Sequence, residues 1–153
     1  MSHISRTMLY LGADHAGFEL KEAVAEYLRY INTPFEDLSS KTMVPDDDYP
    51  QIAHAVAKKV AEDAEKSRGI LFCGSGIGVC IAANRHPNIR AGIGYNLTAA
   101  EAMRKDDDAN ILCIAGRVLQ PDFAKSIVKK FLATKFSGEA RHIRRIAEIE
   151  SYD

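Results

Sequence analysis

The chain has 153 residues, of which 46% are hydrophobic and 27% charged, as in a globular protein of one compact domain (residues 1–153). Its formal net charge of −1 gives no general attraction to nucleic acid or to an anionic membrane. No apolar run approaches the ~20 residues that a bilayer requires, and the first ten residues lack a signal peptide's apolar block. Because the three cysteines show neither an even count nor CxxC spacing, we expect free thiols and a cytoplasmic location.

Short apolar runs alternate along the chain with segments of helical periodicity. The predicted strands are TMLYLG (7–12), a weaker PFEDL (34–38), GILFC (69–73), AGIGY (91–95) and ILCIAG (111–116). The predicted helices run from Phe18 to Pro34, from Pro50 onward, from Gly78 onward, over 97–105, from Pro121 onward and over 140–149. This order predicts a single-domain, doubly wound α/β fold of Rossmann-like type, with a mostly parallel five-stranded sheet and helices on both faces.

Three polar or glycine-rich stretches each follow a predicted strand. They are ADHAG (13–17), CGSGIG (73–78) and AGR (115–117). In an open parallel sheet, ligands bind outside the carboxyl ends of the strands. We therefore expect these stretches to meet at one edge of the sheet and to form the site there.

Cys73 stands directly before alternating glycines at 74, 76 and 78. Such glycines let several backbone N–H groups converge on one point, which attracts a static phosphate or an oxyanion formed during a reaction. Thiols at helix N-termini are often partly ionised, so Cys73 is a candidate base for removing a proton next to a carbonyl. The alternative is a structural cysteine beside a nucleotide-type turn, although GSGIG lacks the Lys-Ser/Thr ending of a P-loop.

Six stretches, in this order, resemble the type B ribose-5-phosphate isomerases and the related galactose-6-phosphate isomerases. They are GADHAGFELK (12–21), DDYP (47–50), GILFCGSGIGVCIAANR (69–85), IRAG (89–92), ILCIAGR (111–117) and ARHIRRIAEIE (140–150). The resemblance implies an aldose–ketose isomerase of phosphorylated sugars that uses no metal and no organic cofactor. It further implies a homodimer or a dimer of dimers, in which the C-terminal helix (about 140–153) contacts the partner subunit.

The resemblance also implies roles for individual residues. One branch of the family uses a cysteine at the position of Cys73 as the base, whereas another carries a glutamate where this chain has Val79, which cannot carry a proton. Ser75 resembles the hydroxyl that assists proton transfer. The residues that resemble substrate-binding positions are Gly74, Gly76 and Gly78 around the enediolate, Asp14 and Tyr49 at the sugar, His15, Arg117, Arg141 and Arg145 at the phosphate, and Asn84 and Asp107.

One departure from the family bears on the substrate. Many members carry a His-Asn pair before the last strand, and the histidine opens the sugar ring; this chain has Asp106 and Asp107 there. Asp106 or His15 could take over ring opening, or the substrate could be a tetrose or tetrulose 4-phosphate, which cannot close the usual furanose. A hexose 6-phosphate, or a non-catalytic subunit that needs an unlike partner chain, are the further alternatives.

The remaining polar clusters are interpreted as structural. Consecutive aspartates at 46–48 and 106–108 rarely converge on one ion, so no metal is expected. The basic RHIRR (141–145) is too short to indicate nucleic-acid binding, although His142 could touch the phosphate. Cys80 and Cys113 lie in apolar runs and are expected in the core.

Overall fold

A computed structural model describes residues 7–152 of the chain. The strands are β1 Met8–Ala13, β2 Glu36–Asp37, β3 Ser67–Cys73, β4 Ala91–Ile93 and β5 Ile111–Ala115. The helices are α1 Phe18–Tyr30, α2 Tyr49–Ala61, α3 Ile77–Ala83, α4 Leu97–Lys105, α5 Pro121–Ala133 and α6 Ala140–Glu150. Strand and helix alternate as predicted.

The strands form one sheet in the order β2-β1-β3-β5-β4, and every neighbouring pair is parallel. From β1 the chain crosses to β2 on one side, and it then returns to place β3 on the other side of β1. The direction of winding therefore reverses between β1 and β3, which is where doubly wound folds bind their ligands. The predicted doubly wound α/β fold is confirmed. A mostly parallel sheet was predicted, and the observed sheet is parallel throughout.

Each face of the sheet is covered by its own set of helices. Along β3, Ile70 and Phe72 join a core with α1, α4 and α5, whereas Leu71 and Cys73 join a second core with α2 and α3. This division follows from the strand geometry, since successive side chains point to opposite faces. Cys73 consequently points toward α2 and α3.

Several element boundaries differ from the sequence prediction, and three of the differences have bearing on the site and the core. Helix α1 ends at Tyr30, ahead of Pro34, because Asn32 adopts a left-handed φ of 57° that cannot continue a helix. Strand β2 has only two residues. Helix α3 begins at Ile77 rather than at Gly78, with Gly76 as the preceding residue.

The C-terminal helix lies at the surface. His142 is its buried residue, while Ile143 and Ile149 are about half exposed. An ion pair of 2.7 Å between Glu150 Oε1 and Arg90 Nη1 holds its last turn near β4. Across residues 7–152, the helices are too short or too polar to cross a bilayer.

The loops that follow β1, β3 and β5 are in direct backbone contact. A Cβ atom on Gly17 would lie 2.5 Å from the carbonyl carbon and oxygen of Phe72. A Cβ atom on Gly116 would lie 2.7 Å from the carbonyl oxygen of Ala16. Only glycine allows such contacts, so these two residues set how closely the three loops approach one another.

We expect Gly17→Ala to lower the free energy of unfolding by about 2–3 kcal/mol, because rigid backbone atoms of β3 would have to move. Gly138→Ala is the matched control, since Gly138 has open space around it and a φ of 68°. That substitution should cost only about 1 kcal/mol of backbone strain. Urea unfolding curves measure both; equal costs would contradict the role given to loop contact.

Candidate active site

The carboxyl edge of the sheet brings three loops together through backbone hydrogen bonds. The N–H of Gly116 donates to the carbonyl of Cys73 (2.7 Å), and the N–H of Arg117 donates to that of Gly74 (3.1 Å). On the other side, the N–H of Asp14 donates to the carbonyl of Phe72 (3.2 Å). The stretches 13–17, 73–78 and 115–117 therefore meet at the carboxyl edge of the sheet, where the direction of winding reverses (the switch point).

Cys73 ends β3 directly beneath the first turn of α3. Its Sγ accepts a hydrogen bond from the backbone N–H of Gly76 at 3.2 Å. A donor aimed at the sulfur, next to a helix N-terminus, stabilises negative charge at this point. The residue is only 4% exposed, so a bound molecule would contact a small part of the sulfur.

Gly76 gives the loop after β3 its shape. It adopts a φ of 76°, in the left-handed region, and a Cβ atom there would lie 3.2 Å from the backbone nitrogen of Ala115. The exposed Ser75 accepts a hydrogen bond on Oγ from the N–H of Ile77 (3.1 Å). This left-handed turn into a helix aims the Gly76 N–H at the sulfur and places the Ser75 hydroxyl in the same loop, an arrangement that resembles an anion-binding nest.

Tyr49 covers the first turn of α3 from the neighbouring helix. It is the first residue of α2, and a Cβ atom on Gly78 would lie 2.5 Å from its Cζ. The ring thus rests on the space that Gly78 leaves open. This contact brings a phenol to the rim of the glycine loop.

The loop after β1 contributes a carboxylate and a histidine. Asp14 is buried, and its Oδ1 accepts the N–H of Gly17 at 3.0 Å. The Oδ1 of Asp47 accepts the backbone N–H of His15 (2.7 Å) and lies 3.0 Å from its Nδ1. The hydrogen bond to Asp47 raises the pKa of His15, with smaller contributions from Asp14 and Asp46 and against the effect of burial.

Asp47 has no role of its own in the sequence analysis. The only signal was its position inside DDYP, one of the stretches that resemble the family. Its contact with His15 spans 32 residues of sequence, which local patterns do not reveal.

Asp14, His15 and Asp47 could also serve as metal ligands. Each offers one ligand atom, and these atoms lie within 4.8 Å of one another, the one such group of three found over residues 7–152. Hydrogen bonds within the chain already account for these side-chain positions.

Arg117 supplies a second cationic group at this edge. A Cβ atom on Gly74 would lie 3.1 Å from its Cδ and 3.2 Å from its Nη1, so the side chain runs along the glycine loop. A guanidinium suits phosphate oxygens because it offers two parallel N–H donors. The predicted site residues that the structure brings together are Asp14, His15, Tyr49, Cys73, Gly74, Ser75, Gly76, Gly78 and Arg117.

Three predicted site residues lie at the opposite, amino edge of the sheet. Asp106 and Asp107 directly follow α4 and precede β5, and a five-residue strand separates the two edges by about 13 Å. Asn84 ends α3, where its side-chain amide donates to the carbonyl of Ala91 (2.9 Å) and accepts its N–H (2.8 Å). These residues do not reach Cys73 of the same chain.

The arginines of α6 are exposed, and Arg141 pairs with Glu139 at 2.9 Å. Arg145 lies on the same helix, one turn further on. The expectation for His142 is wrong within the chain, because its ring is buried, with Nδ1 2.7 Å from the Oγ of Ser137 and Nε2 3.6 Å from Asp106. Cys80 is half-buried and Cys113 fully buried, and all three cysteines are free.

The fold and the site together define a class of protein: a doubly wound α/β protein with a thiol, a backbone N–H pocket and cationic side chains at the switch point. Such a site suits the binding of a small phosphorylated molecule and proton transfer on it. The family described as Ribose/Galactose Isomerase matches residues 9–149, and the chain belongs to this family.

Individual relatives agree with the family. A crystal structure of ribose-5-phosphate isomerase B from Mycoplasma genitalium with bound ribulose-5-phosphate superposes with a TM-score of 0.91 at 36% identity, covering 97% of this chain and 96% of the other. Ribose-5-phosphate isomerase B of Mycobacterium tuberculosis is 36% identical over 150 residues (98% and 92% of the two chains). D-erythrulose-4-phosphate isomerase of Pectobacterium atrosepticum is 34% identical over 128 residues (84% of each).

We expect Asp47→Asn to lower the pKa of His15 toward its ordinary value of 6.5, because the main cause of the raised pKa is removed. The imidazolium would then lose its charge at a lower pH than in the wild type. An NMR titration of the His15 ring protons measures this shift. Asp46→Asn is the control, since Asp46 has the weakest effect, and equal shifts in the two variants would contradict the assignment.

Proposed function

We propose that the protein interconverts ribose 5-phosphate and ribulose 5-phosphate through a cis-enediolate, with Cys73 as the base. The relatives named above support the substrate, one of them with ribulose-5-phosphate bound. The observation that carries the mechanism is the hydrogen bond from the Gly76 N–H to the Cys73 sulfur.

The proposed reaction needs one proton to move between two neighbouring carbons. The thiolate of Cys73 removes the proton from the carbon next to the carbonyl, and the electron pair of that C–H bond moves into a carbon–carbon double bond. Negative charge then develops on the carbonyl oxygen, where the N–H groups of the glycine loop stabilise it. The Cys73 thiol then returns its proton to the adjacent carbon, which was the carbonyl carbon. The Ser75 hydroxyl moves a second proton from one oxygen to the other, and the isomerisation is complete.

The proposed anchoring of the substrate divides between its two ends. Asp14 and Tyr49 face the sugar hydroxyls beside the glycine loop. His15 and Arg117 bind the phosphate, and the raised pKa of His15 keeps its positive charge to higher pH. The affinity for phosphate should therefore fall as the pH rises through the pKa of His15, because the imidazolium then loses its charge.

A second copy of the chain is proposed to complete the site, in a homodimer or a dimer of dimers. Asp106 and Asp107 can approach Cys73 only from another molecule, since they lie at the far edge of their own sheet. Exposed apolar residues next to the glycine loop fit such an interface, with Ile77 51% and Ile81 63% exposed on α3. Arg141 and Arg145 of the partner would add to the phosphate site.

A four-carbon substrate is the second candidate. It is favoured by Asp106 at the position of the ring-opening histidine and by the D-erythrulose-4-phosphate isomerase among the relatives. In the five-carbon case, Asp106 or His15 would donate the proton that opens the ring, and the Oδ1 of Asp106 lies 3.6 Å from His142 Nε2. The three free thiols fit a reducing compartment, so we place the enzyme in the cytoplasm.

Cys73→Ala should lower kcat about 10³-fold or more, which corresponds to about 4 kcal/mol of barrier, because no other group takes the proton. Binding of ribulose 5-phosphate, measured by calorimetry, should change little. Cys80→Ala is the matched control and should keep wild-type kcat, since Cys80 Sγ contacts the carbonyl of Ala91 at the other end of α3. A Cys73→Ala enzyme within tenfold of wild-type turnover would refute the assignment of the base.

Asp106→Asn separates the two substrates. If Asp106 opens a sugar ring, kcat/KM for ribose 5-phosphate should fall about 10²-fold, while that for erythrose 4-phosphate should remain within a few-fold. The rates are measured with the purified protein alone, by following the conversion of each aldose phosphate into its ketose phosphate. Equal losses for the two sugars would contradict ring opening by Asp106.

A further inference from the structure

A second cavity lies at the amino edge of the sheet, away from Cys73. Its volume is about 710 Å³, within the range of small-molecule sites. It is lined by Thr7, Leu9, Ile31, Thr33, Arg68, Arg104, Asp108, Lys129, Leu132, Ala133, Thr134, Lys135 and Phe136. Arg68 and Cys73 are five residues apart along β3, or about 17 Å, so a molecule in this cavity does not touch the sulfur.

The cavity carries an excess of positive charge. Its lining holds four cationic side chains, those of Arg68, Arg104, Lys129 and Lys135, and a single carboxylate, that of Asp108. This carboxylate is already shared, because Oδ1 pairs with Arg104 Nη1 at 2.8 Å and Oδ2 lies 3.7 Å from the Nη2 of an arginine outside the cavity, at position 90. One carboxylate therefore faces more cations than it can neutralise.

Of the two arginines in this lining, Arg68 is the one without an acidic partner within residues 7–152, because Asp108 pairs with Arg104. Its Nη1 donates to the carbonyls of Ser67 (2.8 Å), Glu65 (3.2 Å) and Ala64 (3.5 Å). Between residues 7 and 152, no carboxylate pairs with Arg68, its Nη1 alone donates hydrogen bonds, and the residue lines the cavity. Burial, and then repulsion by Arg104, lower the pKa of Arg68 to about 10.

The lining also includes apolar side chains. Leu9 comes from β1, Ile31 from the turn after α1, and Leu132 and Phe136 from the end of α5 and the segment that follows it. Sites that hold organic molecules combine such apolar side chains with a few convergent polar groups. A bare inorganic anion would leave these apolar side chains in contact with water.

We propose that this cavity binds a small organic anion, with its phosphate or carboxylate on Arg68 and its apolar body against Leu9, Ile31, Leu132 and Phe136. The guanidinium offers paired donors that match either anionic group. Lys129 and Lys135 line the cavity, are exposed, and would attract the ligand. The site is independent of the proposed isomerisation.

Phenyl phosphate is the probe, followed by amide NMR shifts of the full chain. Saturable shifts at 31–33 and 132–136 are expected below about 10 mM, and benzyl alcohol, which lacks the charge, should produce none. Shifts confined to 74–78 would place the probe at the glycine loop and overturn the proposal. Absence of saturation up to that concentration would overturn it as well.

Variants test the residues within the cavity. Arg68→Met should weaken phenyl phosphate binding about tenfold or more, since a charge-assisted pair is lost. Lys129→Ala, which removes an exposed cation and leaves the backbone hydrogen bonds of Arg68 intact, should weaken it two- to fivefold. Lys125→Ala, one turn earlier on α5 and outside the cavity, should have no effect; equal affinities of all three variants and the wild type would refute the site.

Discussion

Contact between the backbones of three loops is the constraint on which this active site depends. Gly17 rests against the carbonyl of Phe72 and Gly116 against that of Ala16, so the ends of β1, β3 and β5 approach more closely than side chains would permit. This approach fixes where β3 ends, and with it the position of Cys73. The Gly76 N–H can then point at the sulfur, because α3 begins immediately beyond the loop.

The same arrangement separates the tasks of the proposed reaction. The segment from β3 to α3 carries the proposed base and the N–H groups of the glycine loop, whereas the loops after β1 and β5 carry His15 and Arg117. Two cationic side chains thus lie at the same edge of the sheet as a nearly buried sulfur. Asp106 and Asp107 lie at the opposite edge of the sheet from Cys73, which is why a second copy of the chain is proposed to supply them.

Much of the fold could be predicted because its signals are local. Buried runs mark β3 and β5, and the periodicity over 97–105 matches α4 residue for residue. The start of α3 was misplaced because it depends on the left-handed φ of Gly76, which alternating glycines do not distinguish. The role of Asp47 and the basic cavity at the amino edge were missed because they join segments that are far apart in sequence. Family resemblance identified Asp106 and Asn84, but only the topology reveals that both lie at the opposite edge from Cys73.

The most direct test of the account is a crystal structure with a hydroxamate analogue of the enediolate, made from a phosphorylated four-carbon acid. We expect the analogue's hydroxamate oxygen to accept hydrogen bonds from the N–H groups of the loop at 74–78, with the Cys73 sulfur within about 3.5 Å of the analogue's planar group. An analogue bound at this edge with the sulfur turned away into the core, out of reach, would contradict the central claim.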